Sequence, residues 1–238
     1  MPKPDYGIDA PGVIRNLFVI GALLFALGIF VGPVQIGGAR IAAGRMLIIT
    51  GCIFLAESAA MLLYAKVGKF AHRDRMLAKI TWRSDEQVLD VGTGRGLLLI
   101  GAAKKLTSGK AIGIDIWNAE DLSGNAMEAT LANAEAEGVK DRVELKTEDA
   151  SAMSFADSSF DVVVSNLCLH NIPTAAGREK ACREIARVLK PGGVAVISDF
   201  KNTGDYEKTF QTAGLKTERG GPHLLTTFPP LRLVVARK

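Results

Sequence analysis

Three glycines at alternate positions, Gly92, Gly94 and Gly96, follow an apolar run, Val88, Leu89 and Val91, that carries one acid, Asp90. Glycine permits a sharp turn and lets a ligand come close to the backbone. The apolar helix that begins at Leu97 would offer its unpaired N–H groups to that ligand. Strand, glycine turn and helix together describe the nucleotide-binding corner of a Rossmann-like sheet, with Thr93 inside the turn. A second apolar run, Ala111 to Ile114, ends on Asp115, and an acid at that place accepts hydrogen bonds from ribose hydroxyls. His170 is one of three histidines and stands four residues beyond Asn166. With a reference pKa of about 6.5, an imidazole there suits removal of a proton from a thiol, phenol or ammonium. The alternative for His170 is a structural role in its loop. Cys168 has little claim as a nucleophile, and His72 and His223 have no neighbours that single them out.

The glycines do not fit the dinucleotide fingerprint G-x-G-x-x-G, because Leu97 occupies the position of its third glycine. The pattern is Asp-x-Gly-x-Gly-x-Gly. After it come a strand over 110–117, a polar loop 118–125, a helix over 126–137 and a strand over 142–146 that leads to Glu148-Asp149-Ala150. A fourth strand, Phe160 to Ser165, exits through Asn166-Leu167-Cys168-Leu169-His170-Asn171. A helix over 175–189 then stops at Lys190-Pro191-Gly192-Gly193, where proline and glycine end a helix. A fifth strand over 194–198, a helix over 205–213 and strands over 215–219 and 231–236 complete the chain.

This ordered set resembles the class I S-adenosylmethionine-dependent methyltransferases over residues 70–238. The resemblance implies a seven-stranded, mostly parallel α/β sheet of Rossmann-like type with a closing antiparallel hairpin. It implies S-adenosylmethionine as cofactor, with the methionine end on the Asp90, Gly92, Thr93, Gly94 and Gly96 corner. It places the ribose on Asp115, the adenine between Ile116 and Trp117, and the adenine amino group on Asp149 with the Ala150 N–H on the ring. Asn166 and Leu167 would line the methyl path, making Asn166 and His170 the catalytic candidates. The Leu-Lys-Pro-Gly-Gly turn and the strand-four exit are similar to those of quinone and small-molecule methyltransferases. The Asn/Asp-Pro-Pro-aromatic element of many nucleic-acid and protein nitrogen methyltransferases is missing, which argues against a nucleobase or glutamine amide as acceptor. Loop 118–125 is longer than usual. It is either a lid, with Asp121, Ser123 and Asn125 reaching the site, or an ordinary connection. Asp115 capping the next helix is the competing reading of that acid.

The first third of the chain lies outside the resemblance. Leu17 to Gly38 is 22 residues without a charge, and Met46 to Ala65 is 20 residues with only Glu57 charged. A helix of 22 residues rises about 33 Å, close to the hydrocarbon thickness of a bilayer. These stretches are expected to form a two-helix transmembrane hairpin over residues 1–65, with two buried soluble helices or a cleaved leader as the alternatives. Gly28 and Gly32 would let the helices approach. Glu57 is costly in a membrane, and is read either as functional or as a protonated acid bonded to a neighbouring helix. Residues 66–80 read as a basic amphipathic linker helix, with Val67, Phe70, Leu77 and Ile80 apolar, that lies on the lipid or covers the cofactor. Residues 81–238 are then the catalytic domain.

The formal net charge of +4 is unevenly placed. Residues 1–80 hold nine basic and four acidic side chains, leaving 20 basic and 21 acidic beyond. The pI of 9.0 and the mean hydropathy of +0.19 therefore belong to the N-terminal region. That distribution points to a membrane surface and away from nucleic acid. More basic residues flank the outer ends of the hairpin than its loop, so both termini and the catalytic domain are expected in the cytoplasm. The three cysteines, Cys52, Cys168 and Cys182, lack metal-ligand spacing, and no metal is expected. The expected function is methyl transfer to a small, hydrophobic or membrane-dissolved acceptor: a lipid amine, a quinone-type phenol or a thiol. Homo-oligomerisation through the membrane helices is a further expectation. A nicotinamide-dependent oxidoreductase and a non-catalytic S-adenosylmethionine sensor are the rival functions.

Overall fold

In the computed structural model, which describes residues 3–224 and 226–238, the catalytic part is built on one seven-stranded sheet. The strands are β3 (Gln87–Val91), β4 (Lys110–Asp115), β5 (Val143–Thr147), β6 (Phe160–Asn166), β7 (Leu189–Asp199), β8 (Lys216–Arg219) and β9 (Arg232–Arg237). Their spatial order is β5-β4-β3-β6-β7-β9-β8, and only β9 runs against its neighbours. The central strands bury both faces, so they read as continuous Val, Ile and Leu runs. The order reverses between β4-β3 and β3-β6, which opens a crevice at the carboxyl ends of β3, β4 and β6.

Helices cover both faces. On one side α3 (Lys69–Leu77), α4 (Leu97–Ala103) and α5 (Met127–Ala136) bury Met76, Leu99 and Ile100 against Val88, Val162 and Val164. On the other, α6 (Ala175–Val188) and α7 (Thr203–Thr212) bury Ile185 and Phe210 against Leu89, Val163 and Ile197. The Lys190-Pro-Gly-Gly segment is not a free turn. It forms the opening of β7, which pairs Leu189 with Phe160 and shifts register before Val194 meets Val162. Gly193 permits this close approach, since a Cβ there would lie 2.8 Å from the Asp161 carbonyl oxygen.

The N-terminal hairpin differs from its expected boundaries. Helix α1 is Pro11–Phe30 and α2 is Ala43–Leu63. Pro11 opens α1 at a position where its missing N–H costs nothing. Gly32 and Pro33 prevent continuation, so residues 31–38 are not helical. Instead β1 (Val34–Ile36) and β2 (Ala39–Ile41) pair antiparallel across Gly37-Gly38, both at positive φ, the backbone that a two-residue hairpin turn requires. Gly28 packs α1 onto α2, but its partner is Gly44 rather than Gly32, around which there is open space. Gly21 and Gly51 make the second close contact, so the relevant spacing is seven residues on each helix.

Residues 66–77 do not form a separate linker helix. Helix α2 continues through a π-type turn, Tyr64–Gly68, directly into α3. The continuous helix Ala43–Leu77 is 35 residues, and with Pro11–Phe30 it is long and apolar enough to cross a membrane. Both helices expose large apolar side chains, including Phe18, Leu23, Leu27, Ile49, Ile53 and Leu63. Beside the half-buried Glu57, Ser58 is buried and donates to the Ile14 carbonyl oxygen at 3.0 Å.

Residues 5–10, which carried no expected role, form a strap over the catalytic part. Tyr6 is 5% exposed, packs edge-on against Phe70, and donates to Glu137 at 2.9 Å. The Asp5 N–H donates to Asn133 Oδ1 at 2.9 Å, and Asn133 Nδ2 donates back to the Asp5 carbonyl oxygen at 2.8 Å. The strap leads directly into α1.

Candidate active site

The glycine corner is a preformed cradle. Gly92, Gly94 and Gly96 have φ of 72°, 53° and 83°, in the left-handed region that side chains disfavour. A Cβ on Gly92 would lie 2.2 Å from Cys168 Sγ, so the thiol already fills that space. Burial raises the Cys168 thiol pKa, keeping it a thiol at neutral pH. Asp90 Oδ2 accepts from Thr93 Oγ1 and from the Leu99 N–H, both at 2.9 Å. Asp90 therefore ties the loop to the first turn of α4, where an acid offsets the unpaired N–H groups.

Burial raises the Asp90 pKa to about 7, against the bonds from Thr93 and Leu99, which lower it. The folded state then holds the Asp90 proton more tightly than the unfolded chain, whose carboxyl titrates at about 3.9. Between about pH 4 and 7 the folded state binds more protons, so the Asp90 contribution to stability falls as pH rises and levels off above about 7. Asp90→Asn should flatten this slope. Urea midpoints at pH 5 and pH 8 measure it, and a slope unchanged by the substitution would contradict the assignment to Asp90.

Asp115 is buried at the end of β4. Its carboxylate accepts from the Gly94 N–H and the Trp117 N–H, each at 2.7 Å, and from Asn125 Nδ2 at 3.3 Å. It does not cap α5, which begins twelve residues later at Met127. The carboxylate instead fixes the glycine turn from across the crevice. Trp117 takes φ of 60° and its indole N–H donates to Thr147 at 2.8 Å, while Ile116 is 67% exposed beside it. Asp149 is exposed and accepts from the Ser151 N–H at 2.7 Å, with Ala150 between them. The Glu148 N–H donates to the Asp115 carbonyl oxygen at 3.2 Å, which brings the Asp149 turn alongside Asp115. Asp115→Ala should weaken S-adenosylhomocysteine binding by roughly 1–3 kcal/mol, the loss expected for hydrogen bonds to a charged group. Calorimetry checks this, and unchanged affinity would remove Asp115 from the site.

At the exit of β6, Leu167 has φ of 53°, a strained conformation for a branched side chain. Its N–H donates to the Ser198 carbonyl oxygen at 3.0 Å. Asn166 Oδ1 is sealed from solvent without a hydrogen-bond partner, and so is Asn125 Oδ1. His170 follows on a single 3₁₀ turn. Its N–H donates to Asp199 Oδ2 at 3.1 Å, and its Nδ1 lies 2.8 Å from Asp199 Oδ1 without an aligned hydrogen bond. The ring meets Phe200 edge-on, with centroids 4.7 Å apart.

Asp199, fully buried at the end of β7, had no expected role. The signal was present, because Val194 to Asp199 repeats the pattern of Asp90 and Asp115, an acid closing a buried strand. His72 is buried, paired with Ser198 Oγ at 2.7 Å, and meets His223 edge-on. Burial lowers its pKa to about 3, which keeps it neutral.

Loop 118–125 is not a free lid. The Ala10 N–H donates to the Asp121 carbonyl oxygen at 2.9 Å. The Ser123 N–H donates to the Ile8 carbonyl oxygen at 3.0 Å, and the Ile8 N–H donates to Ser123 Oγ at 2.8 Å. The strap thus pins the loop from outside, and Arg95, held by Asp5 at 3.2 Å, donates to the Ser123 carbonyl oxygen.

Residues 88–193 match the family described as a methyltransferase domain. Among curated relatives, the sterol 4-C-methyltransferase of Caenorhabditis elegans is 33% identical over 130 residues, 55% of this chain and 36% of that protein. The demethylmenaquinone methyltransferase of Symbiobacterium thermophilum is 34% identical over 123 residues, 51% of this chain and 45% of that one. The chain thus spans about half or less of the length of these relatives. Among solved structures, a S-adenosylmethionine-dependent methyltransferase from Aquifex aeolicus superposes with a TM-score of 0.55 at 20% identity, covering 69% of this chain and 88% of that chain. The family match and the curated relatives support a methyltransferase domain here, the solved structure shares its fold, and the cofactor named for that structure is S-adenosylmethionine. The residues present fit that group: a glycine cradle that side chains would fill, a carboxylate at each of β3 and β4, and unpaired amide oxygens at Asn125 and Asn166.

Proposed function

We propose that the protein is a membrane-anchored methyltransferase that acts on a small apolar acceptor dissolved in the bilayer. The observation that carries this reading is the position of the apolar helices. The strap that pins the cofactor loop runs without a linker into α1, and α2 runs without a break into the helix that packs on the sheet. The crevice is therefore held at the foot of the hairpin. A groove of about 300 Å³ opens there, lined by Ile8, Pro11, Ile14, Phe18, Ser58 and Leu62, with Arg15 at its edge. Its walls suit an apolar body that enters from lipid, as small-molecule sites are mainly apolar with few polar groups. The named relatives act on a sterol and on demethylmenaquinone, which favours an apolar ring or chain over a soluble acceptor.

Bound S-adenosylmethionine would supply a methyl group on a positively charged sulfur. The chain's own residues do the rest. The Gly92–Gly96 corner and Asp115 fix the donor. Ile116 and Trp117 flank the base, and Asp149 with the Ala150 N–H reads its edge. Asn166 and Leu167 shape the path to the acceptor. His170, held by Asp199, takes the proton that the acceptor must lose. Alignment of donor and acceptor alone can supply on the order of 7–11 kcal/mol, and the strapped loop excludes water. The greater number of basic residues at the outer ends of the hairpin than in its loop supports a cytoplasmic location for both termini and the catalytic part.

The test combines two measurements on the full chain. The protein should resist alkaline extraction from membranes and should move labelled methyl groups from S-adenosylmethionine into a lipid extract. Extraction without detergent would remove the anchor. Tight nicotinamide dinucleotide binding without S-adenosylhomocysteine binding would replace the reaction.

A further inference from the structure

We propose that Lys69 is a positioning residue that clamps the N-terminal strap over loop 118–125 and so sets how fast the S-adenosyl donor and its product exchange. The inference rests on the methyltransferase reading and gives a role to a buried cation that the reaction itself does not use. Lys69 opens α3 and is 4% exposed. Its Nζ donates to the carbonyl oxygens of Tyr6 at 2.8 Å and Gly7 at 2.7 Å, and lies 3.5 Å from Asp9 Oδ2. All three partners belong to the strap, and an ammonium has three protons to give. A buried charge is costly unless it is paired and hydrogen-bonded. The strap and the helix therefore hold one another in a single arrangement.

The other side of the strap lies on the loop. Gly7 is the point of closest approach: a Cβ there would lie 2.8 Å from the Ser123 carbonyl oxygen and 3.0 Å from both Arg95 Cδ and Leu122 Cδ1. Asp9 pairs with Leu122 in an antiparallel bridge. Loop 118–125 in turn touches the donor corner. A Cβ on Gly94 would lie 2.8 Å from Leu122 Cδ2, and Asn125 Nδ2 donates to Asp115 Oδ1 at 3.3 Å. Gly94 and Asp115 fix the donor on the proposed reading, so a donor that enters or leaves over them displaces this loop. The loop moves only when the strap lifts. Lys69 itself bonds to neither Gly94 nor Asp115 among the described hydrogen bonds. It therefore acts on the balance between closed and open loop, not on the donor. Lys69 belongs to the continuous helix Ala43–Leu77, and the strap enters α1 at Pro11, so both helices of the hairpin hold the gate.

The experiment uses full-length protein in detergent and labelled S-adenosylhomocysteine, with association followed directly and dissociation chased by excess unlabelled ligand. Lys69→Met keeps an unbranched side chain and removes its charge and donors. It should speed association and dissociation together, about 10-fold or more, with little change in Kd, because entry and exit use the same open state. A second variant, Ile8→Cys with Ser123→Cys, joins strap and loop beside the 3.0 Å bond from the Ser123 N–H to the Ile8 carbonyl oxygen. Once oxidised it should slow both rates, and reduction should restore them. Wild-type rates in Lys69→Met overturn the clamp. Faster dissociation with a matching loss of affinity also overturns it, since that reports a deformed pocket. If Lys69→Met does not fold, the cross-linked variant decides alone. A cysteine pair that cannot be oxidised, or that exchanges ligand at the wild-type rate once oxidised, overturns the proposal. Each of these results leaves the methyltransferase reading intact. Wild-type protein that does not bind S-adenosylhomocysteine overturns both.

Discussion

Gly92→Ala should destabilise the protein by roughly 2–5 kcal/mol, the sum of left-handed backbone strain and overpacking, and should abolish measurable S-adenosylhomocysteine binding. The added methyl group would meet Cys168 Sγ at 2.2 Å and Cys168 Cβ at 2.4 Å, at a φ of 72°. Neither neighbour can withdraw easily. Cys168 lies between Leu167, which is itself at positive φ, and the 3₁₀ turn of His170. The glycine turn is held in turn by Asp90 through Thr93 and by Asp115 through Gly94. For a domain of this size the loss corresponds to a fall in melting temperature of roughly 5–15 °C. The double variant Gly92→Ala with Cys168→Gly removes both clashing atoms and retains only the backbone strain. It should therefore recover part of the stability. If the single variant melts and binds as the wild type does, the packing of Cys168 into the cradle is wrong.

His170→Ala should lower turnover about 100-fold or more if the imidazole takes the acceptor's proton, since a positioned general base typically contributes that much. S-adenosylhomocysteine affinity should stay near normal, because the side chain makes no contact with the glycine corner or Asp115 among the described hydrogen bonds. Asp199→Asn tests the same unit from behind. Asp199 accepts from the His170 N–H at 3.1 Å, from the Phe200 N–H at 2.8 Å and from Tyr206 Oη at 3.2 Å. An asparagine can keep some of these bonds but cannot stabilise a cationic imidazole. Turnover should fall with little change in donor affinity, and the two substitutions together should cost less than the product of their separate effects. A near-normal rate in His170→Ala would make the residue a structural support of the β6 exit. Independent, multiplying effects would separate Asp199 from the proton transfer.

The glycine cradle and its acids were legible because their signals are local. Positive φ is a demand that the chain meets with glycine at the position where it arises, as at Gly92, Gly94 and Gly96. The parallel strands were legible because burial on both faces forces apolar runs. The two apolar helices were legible by length, although their ends were not. Proline at 11 and 33 moved the boundaries of the first helix to Pro11 and Phe30. The turn at Tyr64 was invisible because a π-type turn needs no helix-breaking residue, and so α2 passes into α3 under an ordinary amphipathic pattern.

By itself the sequence determined the class of sheet, the glycine corner at the end of β3 and the apolar hairpin, since each is written in residue types at short spacing. Only the tertiary structure decided that residues 5–10 strap loop 118–125 and that Asp199 backs His170. Those associations join positions from about 30 to more than 110 residues apart, and the strap relies largely on backbone N–H and carbonyl groups that every residue carries. Such pairings leave no pattern along the chain, and they exist only once the sheet has brought its strand ends to one edge.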